Sequence, residues 1–340
     1  MRIGIDARKI SDFGIGTYIR GLLGGLARCR GDEEYVVFAP EAARPLIPAT
    51  FEHIVVDAPH YSVRELVIVG RAARRARIDL LHTPHYVVPI TSCPVIVTIH
   101  DLIHLHQKQG NPLAAVYART MIGRAVRKSV RVLTVSQAVK NEIVRELACD
   151  AAKIIVTPNG VDDRFRVSAP NPAPSPYFLY VGNDKTHKNV ERLVEGLAEV
   201  RSRRADVSLI LAGAEFERYQ ARAGVITPGF VSDEELVSLY RGALALVQPS
   251  IEEGFGLPAA EAMASGVAVI TSTASALVEI TGDAALHADA TSASSVAEAM
   301  LRIANDDALR VELARRGIEK SRALTWDRCA DSTRRAYLGA

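Results

Sequence analysis

The feature that most constrains this chain is one alternation, run through twice. In the first half the short runs RIGIDA, YVVFA, HIVVDA, LLHTP, VIVTIHD, RVLTVS and IIVTPNG are β-branched, closed by turn or polar residues, and read as strands. Amphipathic stretches such as GTYIRGLLGGLARC and SQAVKNEIVRELA lie between them, the second opening on Ser136, which suits a helix N-cap. Strand, helix, strand in repetition predicts a parallel sheet covered on both faces. SAPNPAPSPYF, Ser168 to Phe178, then packs in four prolines and reads as a linker. After it the alternation restarts with YFLYVG, SLILAG, ITPGFV, ALVQPS and VAVITS, separated by KNVERLVEGLAEVRSR, SDEELVSLYRGA and LPAAEAMAS. The tail from Asp307 reads as two helices without a strand.

The fold class is therefore α/β, with two Rossmann-like parallel-sheet domains. The expected boundaries are 1–167 for the first, 168–176 for the linker, 177–323 for the second, and 324–340 for a C-terminal helix that crosses back to the first. At 340 residues and 48% hydrophobic, the chain is long enough for each domain to bury a core. Sheets of this kind bind ligands at the carboxyl ends of their strands, so the expected site is a cleft where two such edges face each other.

Composition excludes several classes. The four cysteines are far apart and form no C-x-x-C pair, which fits a reducing cytoplasm and suggests neither zinc nor redox chemistry. MRIGIDARKI has no signal-peptide pattern, and no run approaches the roughly 18 apolar residues of a membrane span. Residues 1–166 carry 23 Lys and Arg against 16 Asp and Glu, and the remainder 18 against 23. Arg71, Arg74, Arg75, Arg77, Arg124, Arg127, Lys128 and Arg131 concentrate the basic excess on two helical stretches. Those stretches suit an anionic membrane surface or a phosphorylated acceptor, and equally an ordinary solvated face. Aromatics are only 6% and do not interleave with the arginines, which argues against nucleic acid.

EEGFGLPAAEAMASG, Glu252 to Gly266, brings acid, glycine and helix start together. Pro258 suits a first helical position and Gly266 the position after the last turn. The N–H groups of Phe255, Gly256 and Leu257 then lie at a helix N-terminus, beside glycines that let an anion approach. Glu261 is expected in the first turn, its carboxylate leaning back toward Glu253. Acids flanking a bound diphosphate would accept hydrogen bonds from hydroxyls, which describes a nucleotide-sugar site. The same spacing also suits a capped helix whose glutamates favour the macrodipole.

EGFGLPAAE, with seven residues between Glu253 and Glu261, resembles the E-x7-E signature of retaining glycosyltransferases of family 4, which have the GT-B fold. GIGTYIRGL, VTIHDL, LTVSQAVKNEI, VTPNGVD, YVGNDKTHKNVERLVEGL and GFVSDEELVSLYRGA agree with the family in order, over nearly the whole chain. The resemblance implies that Glu261 holds the donor ribose and that Glu253 contacts the transferred sugar. It implies that Gly254, Phe255, Gly256 and Leu257 reach sugar and phosphate and that Lys188 binds the diphosphate. Asn183 stands where the family often has an arginine, so Lys185 is expected to supply the missing cation. Gly14 and Gly16 match a glycine-rich loop, His100 the histidine near the sugar, and Phe230 and Val231 the contacts to the base. Asp101 is the weakest of these assignments and would orient His100 or the acceptor.

The implied activity is hexose transfer with retention, through same-face attack, from a nucleoside-diphosphate sugar to a hydroxyl of a glycan or lipid-linked glycan. GDP-mannose is the first donor expected, with no metal or other cofactor. The expected location is cytoplasmic, peripheral at the inner membrane face. A UDP-sugar-dependent glucosyl- or N-acetylglucosaminyltransferase and a non-catalytic nucleotide-sugar-binding subunit remain alternatives. An epimerase or hydrolase could use the same fold. A dinucleotide site is disfavoured because Ile19 occupies the third glycine place of G-x-G-x-x-G. His82, His85, His104 and His106 form two clusters without a carboxylate frame and do not suggest zinc.

Overall fold

The computed structural model describes residues 1–29, 31–58, 63–106, 112–166 and 175–339. These divide into two compact units, Met1–Gly160 with Thr325–Ala340, and Val161–Leu324. The first unit ends at Gly160 rather than at residue 167, because the segment from Val161 is tied into the second. The Val161 N–H donates to the Leu324 carbonyl at 3.0 Å, and the Arg166 guanidinium donates to the Ser321 and Leu324 carbonyls. Most of the proline-rich stretch, 167–174, lies outside the described residues.

In the first unit β1 (Arg2–Asp6), β2 (Glu34–Ala39), β3 (Glu52–Val55), β4 (Leu80–Thr83), β5 (Val95–Ile99), β6 (Arg131–Thr134) and β7 (Ile154–Val156) form one sheet. Its order is β3-β2-β1-β4-β5-β6-β7, and every pairing is parallel. Strand side chains alternate between faces, and both faces are covered. Val37 and Ala39 join one core layer with α1 (Phe13–Arg28) and α12 (Trp326–Leu338). Val36 and Phe38 join the other, with α2 (Val63–Arg75), α4 (Pro112–Lys128) and α5 (Gln137–Leu147). This is why the strands read as continuous apolar runs rather than alternating ones. The short α3 (Ile103–His106) follows β5.

The last helix owes its seat to two glycines one turn apart. A Cβ at Gly21 would lie 2.1 Å from the Trp326 ring, and one at Gly25 would lie 2.5 Å from the Trp326 carbonyl. Without side chains there, α1 offers a flat bed on which α12 rests.

The second unit repeats the plan. Strands β8 (Tyr177–Asn183), β9 (Ser208–Ala214), β10 (Val225–Gly229), β11 (Ala245–Gln248), β12 (Ala268–Ser272) and β13 (Ala285–Ala288) pair in parallel in the order β10-β9-β8-β11-β12-β13. Its helices are α6 (Val190–Arg203), α7 (Asp233–Gly242), α8 (Leu257–Ala264), α9 (Ser275–Thr281), α10 (Ala293–Asn305) and α11 (Asp307–Ser321). Strand β13 is absent from the five strands expected, because its sequence ALHA has no β-branched residue. In both sheets the chain winds outward in two directions from a central pair, β1/β4 and β8/β11. The crevice at the carboxyl ends of each pair is where such a sheet can hold a ligand.

Candidate active site

The carboxyl edge of the second sheet collects most of the expected residues. Because all its strands are parallel, Asn183 ending β8, Phe230 following β10 and Gln248 ending β11 emerge on the same edge. The loop after β11 returns Glu253 to this edge, where three donors converge on one oxygen. Lys188 Nζ donates to Glu253 Oε1 at 2.6 Å, Gln248 Nε2 at 2.8 Å and Ser250 Oγ at 2.8 Å. Burial would push the Glu253 carboxyl up, but Lys188 and these hydrogen bonds outweigh it and hold it below the ordinary range. Glu253 is thus an ionised anchor that fixes the Lys188 ammonium.

Two loops are laced together to make this possible. The Ile251 N–H donates to the His187 carbonyl at 2.8 Å. Asn189 Nδ2 donates to the Pro249 carbonyl at 3.1 Å and the Ala290 carbonyl at 2.7 Å. Asn189 does this from the left-handed region, φ 59°, which asparagine tolerates better than most residues. It lets the turn holding Lys188 end and α6 begin.

Helix α8 begins beside this cluster without a capping side chain. Its N-cap is Gly256, at φ 98°, where a Cβ would also meet Leu277 at 2.5 Å. The N–H groups of Phe255, Gly256 and Leu257 make no hydrogen bond to a backbone carbonyl among the described residues. Pro258 occupies the second helical position, and Gly266 follows the helix at φ 69°. One expectation is corrected here: no acid lies in the first turn. Glu261 is one step further on and faces α7 instead, accepting a hydrogen bond from the Tyr240 hydroxyl at 2.8 Å. Burial, with Asp162 nearby, pushes its carboxyl up to about 7, against the lowering effect of Tyr240 and Arg164. The reading of α8 as a helix capped by its own glutamates therefore loses its basis.

Two buried acceptors on this edge, Asn183 Oδ1 and Gln248 Oε1, have no hydrogen-bond partner among the described residues. Buried polar atoms left this way are rare, and they mark a place where the donors of a ligand can bind. Lys185, expected to supply the cation missing at Asn183, has an exposed side chain, and no ion pair of it is present among the described residues. Phe230 is 71% exposed. Val231 sits beside it ahead of α7, whose start is held by a capping box between Ser232 and Glu235.

In the first unit Gly14 and Gly16 lie inside the first turn of α1, not in a loop. A Cβ at Gly14 would meet nothing within 4 Å, whereas one at Gly16 would lie 2.6 Å from the Ile10 carbonyl. His100 follows β5 and is half-buried. Its Nε2 lies 3.1 Å from the Pro84 carbonyl, which can only accept, so Nε2 carries the proton and Nδ1 is the acceptor. Burial lowers the His100 pKa, which favours this neutral form. Asp101 does not orient the ring; its carboxylate accepts the Ile103 N–H at 3.1 Å and caps α3. His82 and His85 are buried in hydrogen bonds to Tyr337, Thr98, Asp6 and Val87. Of the basic residues singled out, Arg124 donates to the Val88 carbonyl in a part-buried hydrogen bond and Arg131 to the Gly339 carbonyl in an exposed one.

Sequence reasoning missed Gln248, Ser250, Asn189 and Tyr240. Gln248, a polar residue ending the apolar strand ALVQ, gave the one visible signal. Asn189 and Tyr240 act through partners distant in sequence, and Ser250 through Glu253, three residues on in an irregular loop.

The family model for "Glycosyl transferases group 1" matches residues 161–322, and that for "Glycosyltransferase Family 4" matches residues 14–165. The chain is 28% identical over 291 residues to O-antigen chain mannosyltransferase B of Escherichia coli, covering 78% of this chain and 76% of that protein. It is 31% identical over 216 residues to O-antigen chain mannosyltransferase RfbU of Salmonella typhimurium, covering 61% and 60%. Its fold is similar to that of sucrose-phosphate synthase from Thermosynechococcus elongatus, with TM-score 0.81 at 20% identity over 100% of this chain and 98% of the other. With two matched models spanning both units, two parallel Rossmann-like sheets and these relatives, the chain belongs to the group 1, family 4 glycosyltransferases of GT-B fold and is a hexosyltransferase.

Proposed function

We propose that this enzyme transfers mannose from GDP-mannose, with retention, to a hydroxyl of a glycan or lipid-linked glycan. The observation that carries the donor site is the Lys188–Glu253 pair, held by Gln248 and Ser250 beside the uncapped start of α8. The similarity to two O-antigen chain mannosyltransferases supports mannose as the sugar.

In this reading the acceptor oxygen forms a bond to the anomeric carbon as the bond from that carbon to the diphosphate breaks. The diphosphate leaves with the electron pair and takes the acceptor proton on the same face. Negative charge grows on the leaving group, and Lys188 with the N–H groups of Phe255, Gly256 and Leu257 stabilises it by preorganised electrostatics. Glu253 keeps the ammonium in place and accepts a hydroxyl of the sugar. Glu261 accepts the ribose hydroxyls, Phe230 and Val231 contact the base, and His100 Nδ1 accepts a hydroxyl of the transferred sugar. Fixed cationic and dipolar groups supply the charge a metal would otherwise supply, so EDTA is expected to leave turnover unchanged.

Calorimetry with GDP-mannose, UDP-glucose and UDP-N-acetylglucosamine, on wild type and Glu261→Ala, tests the reading. GDP-mannose binding that Glu261→Ala weakens supports it. Preference for a UDP-sugar moves the donor assignment, and binding without turnover on any glycan acceptor makes the chain a sensor instead.

The basic first unit extends the proposal to a peripheral site at an anionic membrane. A cleft of about 870 Å³ between β3 and α2 is lined by Arg71, Arg75 and Arg77 together with Ile54, Val55 and Ile68. Charge beside exposed apolar surface suits lipid headgroups. Co-sedimentation with liposomes that does not respond to anionic lipid overturns this extension.

A further inference from the structure

A buried polar chain in the first unit leads from the last helix to His100. The Tyr337 hydroxyl, on α12, lies 2.7 Å from His82 Nδ1 on β4. His82 Nε2 lies 2.8 Å from Thr98 Oγ1 on β5, and Thr98 Oγ1 lies 3.1 Å from the Tyr18 hydroxyl on α1. The rings of Tyr18 and His100 then meet in a T-shaped contact, with centroids 4.7 Å apart and planes at 79°. His82, Thr98 and Tyr18 are fully buried and Tyr337 is 1% exposed.

These hydrogen bonds are self-consistent in their protons. Burial pushes the His82 pKa down to about 3, so the ring is neutral and carries one N–H. A neutral imidazole between two hydroxyls gives one hydrogen bond and takes one, and Thr98 does the same between His82 and Tyr18. Thr98 and His100 are two residues apart, so they share a face of the sheet, the face that α1 and α12 cover. The ring of His100 is thus held both by the Pro84 carbonyl and by Tyr18.

We propose that Tyr337 is a positioning residue for His100, acting through His82, Thr98 and Tyr18. The C-terminal helix therefore sets the geometry at the carboxyl end of β5, although it lies far from that strand in sequence. The inference rests on the reading of His100 as a group that contacts substrate.

The test uses the full chain with ¹⁵N-labelled histidine. The His100 ring signals are assigned by their loss in His100→Gln, and Tyr337→Phe removes the hydroxyl but keeps the ring. Thr98→Val cuts the same hydrogen bonds from β5, so the question stays answerable if one variant folds poorly. The expected result is that both variants move the His100 ring resonances and leave those of His287, in the other unit, unchanged. With GDP-mannose as donor, kcat falls about tenfold while donor KM holds, as expected for misplacement of a contacting group. His100 resonances that stay fixed in both variants while the melting temperature drops overturn the proposal and leave these hydrogen bonds a packing feature. If His100→Gln retains wild-type turnover, the substrate role of His100 fails instead, and the resonances still decide the coupling.

Discussion

The two units share a strand order and a switch point but treat charge at that point in opposite ways. In the first unit Arg8, on the loop after β1, is buried between Asp6 and Glu65, with ion pairs of 2.8 and 3.1 Å, and His85 joins Asp6 at 3.2 Å. His85 and Arg8 hold the Asp6 carboxyl well below the usual range against the upward push of burial. In the second unit Lys188 keeps 24% of its side chain exposed, and the acceptors Asn183 Oδ1 and Gln248 Oε1 are buried without partners. One cluster is closed on itself, and the other keeps its cation partly exposed and two buried acceptors unpaired among the described residues. One topology thus supports two uses, and the difference lies in which polar groups the strand ends leave open.

That contrast predicts that mutations at the two clusters show up in different measurements. Lys188→Met is expected to lower kcat by about 10²–10³, the scale for removing one preorganised group from developing charge, with a smaller loss of stability than at Arg8 because Gln248 and Ser250 still donate to the Glu253 carboxylate. Arg8→Met reverses the pattern. It removes the guanidinium from between the buried Asp6 and Glu65, and urea unfolding is expected to show a loss of about 3–5 kcal/mol. A kinetic defect in Arg8→Met without lost stability would break the comparison.

Gly256→Ala comes next. Its φ of 98° and the approach of Leu277 leave no room for a Cβ, so the start of α8 must shift. Calorimetry is expected to show about tenfold weaker nucleotide-sugar binding, a cost of the size carried by one strained residue. Glu261 gives a sharper, pH-dependent test. The Glu261 carboxyl, pushed up to about 7 by burial, accepts ribose hydroxyls more strongly when ionised than when protonated. Affinity for GDP-mannose is therefore full above that value and falls as pH drops through it, by up to about tenfold per unit. The diphosphate of a nucleotide sugar does not titrate there. Glu261→Gln is expected to flatten the profile, and an unchanged slope in that variant would assign the titration elsewhere. The smallest effect is expected from Ser232→Ala, which removes half of the capping box on α7 for about 1 kcal/mol of stability and leaves turnover alone.

Much of this molecule was legible because its information is local. All seven strands of the first sheet announce themselves as β-branched runs, and Ser136 caps α5 through the Val139 N–H as its sequence suggests. Five of six strands in the second sheet do the same, and β13 escapes because an Ala-rich strand carries no β-branched signature. The site was legible only in part. Glu253, Lys188 and the glycines of EGFG stood out by motif, whereas Tyr240 was invisible because its partner Glu261 is distant in sequence. Glu261 falls one residue beyond the first turn in which the sequence placed it, because α8 begins at Leu257 rather than at Pro258, and helix ends are the least sharply marked part of a sequence.

The sequence by itself determined the class of fold, the two-part organisation, and the residue types able to meet a diphosphate and its sugars. It did so because period, turn chemistry and helix-start glycines act over a few residues. Tertiary structure alone decided that Lys188 joins Gln248 and Ser250 on the Glu253 carboxylate, that Pro84 rather than Asp101 orients His100, and that hydrogen bonds from Tyr337 lead to Tyr18, whose ring packs against His100. Such contacts join strand ends and helices far apart along the chain. Only the parallel register of the sheets brings them within hydrogen-bond reach.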